Sequence, residues 1–123
     1  VIDIHFPMKA YLEEKRKVEP DFYLAKDGVH PNSIGHWLMA KPILEFLGMT
    51  EMNSFTTFEA AIAEFPSGWD VFILISQKQK ILRDAYLSKT GHLRPGIAEG
   101  LPLPKAKEQA ELLENQIKEL LVR

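Results

Sequence analysis

Two residues of the chain, Asp27 and His30, have types and a spacing that suit proton-transfer chemistry. An imidazole changes charge near neutral pH, so it can take a proton from a hydroxyl and return it to a leaving group. It does so effectively when a carboxylate holds one ring nitrogen, which fixes the tautomer and stabilises the imidazolium. Gly28 lies between them and permits a turn that folds the carboxylate back towards the ring. The pattern is compatible with a turn that presents His30 at the start of the next helix with the Asp27 carboxylate behind its ring.

Two other interpretations of the same residues remain open. Asp-Gly is a common turn dipeptide, and His-Pro-Asn is a common entry to a helix, so the segment can be purely structural. Asp27, His30 and His36 together offer oxygen and nitrogen ligands for a metal ion. The two histidines are six residues apart, however, and do not have the i, i+4 pairing of a helical zinc site. We therefore predict no metal and no other cofactor.

A nucleophile to accompany this histidine is missing from the sequence. No serine follows a Gly-Asp pair, and Ser33 and Ser67 are placed to cap helices while Ser54 falls in a loop. Without a nucleophile and oxyanion donors, covalent catalysis loses its main contributions. We predict that this polypeptide alone has no appreciable esterase activity.

The elements around the pair follow from periodicity and turn residues. Val1–Phe6 alternates apolar and polar side chains, which predicts a strand, and Pro7 then begins a helix to about Lys17. Asn32 or Ser33 caps the next helix, which we expect Pro42 to kink or interrupt. Gly48 is expected to end that helix.

The second half of the sequence predicts three helices and no repeat. Thr56 and Glu59 have the spacing of a capping box, and the apolar pattern of the following long helix ends at Gly91. A last helix over about Lys105–Val122 carries an apolar seam at alternating spacings of four and three, comprising Ala106, Ala110, Leu113, Ile117 and Leu120. Two heptads are too short for a confident coiled coil, so the helix is expected to pack within its own domain.

Composition excludes several classes of protein. The 123 residues suffice for one modest domain. The net charge of −2 gives no sign of the basic surface that binding to nucleic acid requires. No apolar run approaches the roughly 20 residues that span a bilayer. The absence of cysteine excludes disulfides and thiolate chemistry. Because the chain opens at Val1 inside the expected strand and without an initiator Met, we expect further sequence upstream.

The block Asp27-Gly28-Val29-His30-Pro31-Asn32, followed by Gly35 and an apolar helix, resembles the last conserved block of the SGNH (GDSL-type) hydrolases. The expected strand at residues 1–6 is similar to the final core strand of that family. Residues 81–87 and 91–96 resemble a C-terminal extension of some bacterial members. Together these segments cover a little over half of the chain.

The resemblance implies an α/β fold, with this chain as the C-terminal part of a three-layer α/β/α architecture. The chain itself would be mainly α-helical with one N-terminal strand, and it would form a single domain or fragment. Within it, residues 1–48 would carry the strand, a helix, the Asp-x-x-His turn and the helix that follows, and residues 49–123 would form a helical C-terminal extension. It also implies acyl-ester hydrolysis by a Ser-His-Asp triad, with His30 as base and Asp27 as its carboxylate. The implied substrates are small acyl esters or acetylated carbohydrates, and the implied location is periplasmic or extracellular.

The family's Gly-Asp-Ser nucleophile segment and its oxyanion-hole glycine and asparagine blocks are absent from these residues. The resemblance therefore implies a partner, either the N-terminal portion of the same protein or a second copy that joins by self-association. The alternative function is a non-catalytic helical interaction module that binds a partner through the Leu113–Leu120 seam or an exposed apolar face. Sequence upstream of Val1 that encodes Gly-Asp-Ser would favour the enzyme.

Overall fold

The computed structural model describes residues 1–93, 95–96 and 98–122, and these residues form helices joined by turns. In chain order the helices are α1 (His5–Arg16), α2 (Ser33–Phe46), α3 (Phe58–Ala63), α4 (Gly68–Lys89) and α5 (Leu103–Leu121), with a 3-10 turn at Thr50–Ser54 between α2 and α3. The chain divides into two compact units, unit 1 at residues 1–62 and unit 2 at residues 63–123. No helix among the described residues is both long and apolar enough to cross a membrane.

The predicted strand at Val1–Phe6 is wrong, and with it the assignment to an α/β fold, because the described residues contain no strand. Helix α1 instead begins at His5, and the Asp3 carboxylate accepts hydrogen bonds from the N–H groups of His5 and Phe6 at 2.9 and 3.1 Å. These are donors that a helix start leaves without a partner. A single strand finds no second strand here for its backbone groups, whereas a helix satisfies them internally. Pro7 then lies in the first turn, where its missing N–H costs nothing.

The core of unit 1 forms around Trp37 of α2. Trp37 packs with Met52 of the 3-10 turn and Ala61 of α3, and half-buried Leu44 and Phe58 surround them. These contacts join the 3-10 turn and the start of α3 to α2 within unit 1.

Of the kink or short break expected at Pro42, the break is absent, because α2 is continuous over Ser33–Phe46. A proline there removes one hydrogen bond, and the remaining turns of the helix keep theirs. At the end of α2, Gly48 has φ +92° and its N–H bonds to Glu45, while Met49 N–H bonds to Leu44 O at 2.9 Å. The predicted helix end at Gly48 is confirmed, in the form of a Schellman motif.

Unit 2 is a pair of packed helices, α4 and α5. The seam of α5 faces α4, with Ala106, Ala110 and Ile117 buried, so the expected packing within its own unit is confirmed. Gly91 ends α4 as predicted, with φ +66° and a hydrogen bond from His92 N–H to Leu87 O. The returning chain crosses α4 so closely that a Cβ on Gly100 would lie 2.3 Å from Ala85 N.

Candidate functional site

The site is a tight turn ahead of α2, closed by the side chain of Asp27. Gly28 has φ +77°, a conformation that glycine adopts without strain, and its N–H donates to Ala25 O at 3.2 Å. This bend brings the next two backbone N–H groups under the Asp27 carboxylate. Asp27 Oδ1 accepts from Val29 N at 3.0 Å and from His30 N at 2.8 Å. The Asp-Gly dipeptide thus forms the turn that its sequence predicts.

The other oxygen of the same carboxylate contacts the imidazole. Asp27 Oδ2 lies 2.6 Å from His30 Nδ1. This side-chain hydrogen bond, together with the backbone N–H groups of His30 and Val29, lowers the pKa of Asp27 from 3.8 to about 2. Asp27 is therefore ionised at neutral pH and can only accept hydrogen bonds, so Nδ1 is the nitrogen that carries the proton. The structure brings together the two residues that the sequence singles out.

This contact decides what the rest of the ring can do. When Nδ1 holds the proton of a neutral imidazole, Nε2 keeps its lone pair and can accept a proton. Within the described residues, Nε2 of His30 makes no hydrogen bond. The side chains of His30 and Asp27 are 78% and 56% exposed, so the free nitrogen is accessible from outside the chain. The arrangement supports general acid–base chemistry at Nε2.

Asn32 links this turn by hydrogen bonds to the preceding loop of unit 1. Its N–H donates to Leu24 O at 2.7 Å, and its side-chain Nδ2 donates to Tyr23 O at 3.1 Å. Its Oδ1 accepts from Gly35 N at 2.9 Å, which caps α2. Since Leu24 is buried, the start and the end of the loop are both tied to the core. Sequence reasoning offered Asn32 only as a cap and missed its role as an anchor, because the partners lie eight and nine residues away.

Gly35 is also required by this packing. A Cβ on Gly35 would lie 2.9 Å from Pro31 Cβ and 3.2 Å from Leu24 O. The first turn of α2 therefore lies against the residue that follows His30. In the sequence, the feature that indicates this close packing is the glycine three residues after the cap residue Asn32.

A groove of about 510 Å³ adjoins the anchor and was not foreseen in the loop between α1 and α2. Phe22 is held there by the ring of Tyr11, at 6.2 Å between centroids, and by a hydrogen bond from Arg16 Nε to Phe22 O at 2.9 Å. The groove combines two aromatic side chains with two carboxylates. Its lining is Glu19, Pro20, Asp21, Phe22, Tyr23 and Asn32.

The serines occupy structural positions. Ser54 donates to Glu51 O at 2.7 Å, Ser76 donates to Phe72 O at 2.8 Å, and Ser88 accepts from Gly100 N at 2.7 Å. Of the two residues predicted as the cap of α2, Asn32 forms the cap and Ser33 does not, whereas Ser67 stands at the predicted N-cap position of α4 but makes no capping hydrogen bond through its side chain. Ser33 is the first residue of α2, behind the Asn32 cap, and Ser67 precedes α4 with φ +55° without a capping hydrogen bond. The cap of α3 is also displaced by one residue from Thr56, because Thr57 Oγ1 accepts from Ala60 N at 3.2 Å.

The other residues whose side chains are suited to catalysis or binding lie outside this turn. Trp37 is buried in the core and donates from Nε1 to Phe55 O at 3.3 Å. His36 is exposed on α2, and His5 lies on α1 with its ring against Phe6. Among the described residues, no group of three or more metal-ligating side chains is placed to hold a metal ion. His92 is exposed, and Arg94 of the same predicted loop lies outside the described residues.

Comparison of the chain with protein-family models, with curated proteins and with solved structures finds no match. The likeness to the SGNH hydrolases is therefore a resemblance of short motifs, carried chiefly by the block at residues 27–35, and no family is assigned.

Proposed function

We propose that Asp27 and His30 form the carboxylate–histidine half of a serine esterase centre. The observation that supports this proposal is the 2.6 Å contact between Asp27 Oδ2 and His30 Nδ1, which leaves Nε2 free and accessible. The same pairing orients the general base in triads of unrelated folds. The resemblance of the block at residues 27–35 points to the same chemistry.

In this proposal the nucleophile is a serine outside the 123 residues. His30 Nε2 accepts the serine proton as the hydroxyl oxygen attacks the ester carbonyl, and it then donates that proton to the departing alkoxide. Water attacks the resulting acyl-serine while Nε2 takes one of its protons. The carboxylic acid leaves and the proton returns to the serine. Asp27 remains ionised throughout and holds the imidazolium in place.

The substrate class is acyl esters, and the groove at Asn32 supports the narrower proposal of O-acetylated carbohydrates. Aromatic faces with a few polar groups are typical linings of small-molecule sites. Tyr23 and Phe22 offer apolar surface, while the carboxylates of Glu19 and Asp21 can accept hydrogen bonds from sugar hydroxyls. Asn32 belongs both to this groove and to the anchor of the His30 turn.

The test compares two proteins with p-nitrophenyl acetate as substrate. The 123-residue chain alone is expected to show no turnover above an equal concentration of free imidazole. A protein that joins this chain to the coding sequence upstream of Val1 is expected to hydrolyse the ester. A serine-directed phosphonate should label that longer protein at a serine preceding Val1.

Variants of the longer protein assign the roles. His30→Ala should lower kcat by about 10²–10⁴-fold, the usual contribution of a general base. His36→Ala is the matched control, because it removes an exposed histidine from the same helix region and should leave kcat unchanged. Turnover by the pure 123-residue chain that His30→Ala abolishes would place the nucleophile inside the chain and contradict the proposal. Equal activity of His30→Ala and the unmodified longer protein would refute the role of His30.

The alternative of a helical interaction module is favoured by a different observation, the number of large apolar side chains exposed on unit 2. The Leu113–Leu120 seam named for that role faces α4, with Ile117 buried. An interaction through unit 2 would therefore use a face of the helix pair other than this seam. Such an interaction is compatible with catalysis at His30, since the two features lie in different units.

A further inference from the structure

The peptide bond between Asp27 and Gly28 is the place in this chain where an aspartate can react most easily with its own backbone. Of the aspartates in the sequence, only Asp27 is followed by glycine. The others precede Ile, Phe, Val or Ala, whose Cβ atoms crowd the backbone nitrogen, whereas glycine leaves that nitrogen open to approach. The Asp27 side chain is 56% exposed, so burial does not protect its carboxyl group.

The reaction open to this pair is isomerisation through a cyclic imide. The Gly28 nitrogen forms a bond to the carboxyl carbon of Asp27, and the carboxyl hydroxyl leaves as water with the amide proton. Water then opens the ring. Opening at the backbone carbonyl of Asp27 gives isoaspartate, in which the main chain runs through the former side chain and the new carboxylate is attached directly to Cα. The water released in the first step is taken up in the second, so no other reagent is consumed.

The folded turn opposes this reaction because it binds both carboxylate oxygens. Asp27 Oδ1 accepts from the N–H groups of Val29 and His30 at 3.0 and 2.8 Å, and Oδ2 lies 2.6 Å from His30 Nδ1. One of these oxygens must leave as water, so ring formation breaks at least one of the three hydrogen bonds whichever oxygen departs. The Gly28 N–H is also engaged, since it donates to Ala25 O at 3.2 Å.

We propose that Asp27–Gly28 is a site of spontaneous isomerisation to isoaspartate, and that the hydrogen bonds of the turn, including that of the His30 ring, protect it in the folded chain. The reacting form is the neutral carboxyl group, because a carboxylate would have to release an oxide ion instead of hydroxide. At pH 5 this neutral form is about 60-fold less populated with a pKa of about 2 than with the ordinary pKa of 3.8. The groups that lower the pKa are the His30 ring first, and then the N–H groups of His30 and Val29.

Isomerisation would dismantle the turn that holds the imidazole. It lengthens the backbone between residues 27 and 28 by one atom and moves the carboxylate onto Cα. The three hydrogen bonds to Val29 and His30 then cannot all re-form. The protection is therefore mutual, since His30 preserves the carboxylate that holds its own ring.

Incubation at pH 5 with and without urea tests the proposal. Electron-transfer mass spectrometry measures the fraction of isoaspartate at residue 27 over time, because isoaspartate and aspartate give different backbone fragments. The urea-unfolded chain should isomerise about 60-fold faster than the folded chain. Asp21, which precedes Phe22, is the internal reference and should isomerise more slowly than Asp27 in urea.

Two variants test the part played by His30. The ring is the largest of four causes that lower the pKa of Asp27, so folded His30→Ala should isomerise about 3-fold faster or more than the unmodified chain. Circular dichroism should show unchanged helix content, since the His30 side chain is 78% exposed. His36→Ala is the matched control and should isomerise at the unmodified rate. In urea all three chains should react equally fast, because the turn is then absent.

Equal rates for the folded and the unfolded chain would overturn the proposal, because the turn would then give no protection. Failure of Asp27 to isomerise faster than Asp21 in urea would overturn the choice of site. A folded His30→Ala that reacts at the unmodified rate would refute the role of the ring, as would an acceleration that persists in urea. These outcomes do not depend on esterase activity, so the two proposals can fail separately.

Discussion

The anchoring of the candidate site by Asn32 leads to a quantitative prediction for Asn32→Ala. The alanine removes the cap of α2, which is worth about 1 kcal/mol, with a range of 0.5–2. It also removes the hydrogen bond from Nδ2 to Tyr23 O, which contributes about 0.5–1.5 kcal/mol net. The free energy of unfolding of unit 1 should therefore fall by about 2 kcal/mol, which is a change of roughly 30-fold in the unfolding constant.

A second variant separates the two contributions. Asn32→Asp keeps an oxygen that can accept from Gly35 N, so the cap is retained. It replaces the Nδ2 donor by a carboxylate oxygen facing the carbonyl oxygen of Tyr23, so the anchor is lost. We expect Asn32→Asp to destabilise unit 1 by about 1 kcal/mol through loss of that hydrogen bond.

The assay is urea unfolding followed by tryptophan fluorescence in a Trp69→Phe background. Trp37 is then the only tryptophan, and it lies in the core of unit 1. Asn115→Ala on α5 is the control and should leave the Trp37 transition unchanged. An Asn32→Asp variant as stable as the unmodified chain would show that the amide does not hold Tyr23. A loss below about 0.5 kcal/mol for Asn32→Ala would refute the whole argument, because that is the smallest effect expected of the cap alone.

Two further predictions concern the Asp27 carboxylate and the packing of unit 2. In His30→Ala the pKa of Asp27, measured by carbon-13 NMR, should rise from about 2 towards 3.8 but stay below it, because the backbone N–H groups remain. The pKa of Asp27 is lower in the folded state than in the unfolded state, so ionised Asp27 stabilises the fold above about pH 4, and this contribution is lost as the pH falls through 2. The free energy of unfolding of His30→Ala should therefore depend less on pH in this acid range. Unchanged titration would contradict the hydrogen bond to His30. Gly100→Ala should destabilise unit 2 by about 3 kcal/mol or more in thermal unfolding, because its Cβ would meet backbone atoms 2.2–2.3 Å away, which cannot rotate aside. Gly48→Ala should cost only about 1–2 kcal/mol, from its positive φ, since nothing lies within 4 Å of the added Cβ, and equal losses for the two variants would refute the packing argument.

The features that sequence predicts correctly are those decided by neighbouring residues. Gly48 and Gly91 end their helices as expected, because a positive φ and two short-range hydrogen bonds suffice to make the motif. The contact between Asp27 and His30 is local in the same sense, since its partners are three residues apart in one turn.

The features that sequence misses depend on distant partners or on competition between local rules. The alternation of Ile2, Ile4 and Phe6 favours a strand, but a strand needs a neighbour, and the Asp3 carboxylate offers the first helical N–H groups a partner at once. The anchor at Asn32 joins residues on both sides of a loop whose path no local pattern defines.

The local origin of the Asp27–His30 contact has a consequence for how the proposed site would be completed. The turn, its carboxylate and the ring are held by hydrogen bonds within residues 25–30, and the helix cap at Asn32 fixes them to unit 1. A segment that brings a serine to Nε2 would not have to organise the imidazole, since Nδ1 is already held by an ionised carboxylate. Its contribution would be the nucleophile, the oxyanion donors and the exclusion of water from a ring that is now 78% exposed. Exclusion of water strengthens the pairing of Asp27 with an imidazolium, because the interaction of two charges grows as the effective dielectric constant falls. Under the proposal, Asp27→Asn should therefore lower kcat of the longer protein strongly, by about 10³–10⁴-fold, although it changes a contact that lies open to solvent in the 123 residues. A loss below 10-fold would show that the carboxylate does not orient the base during turnover.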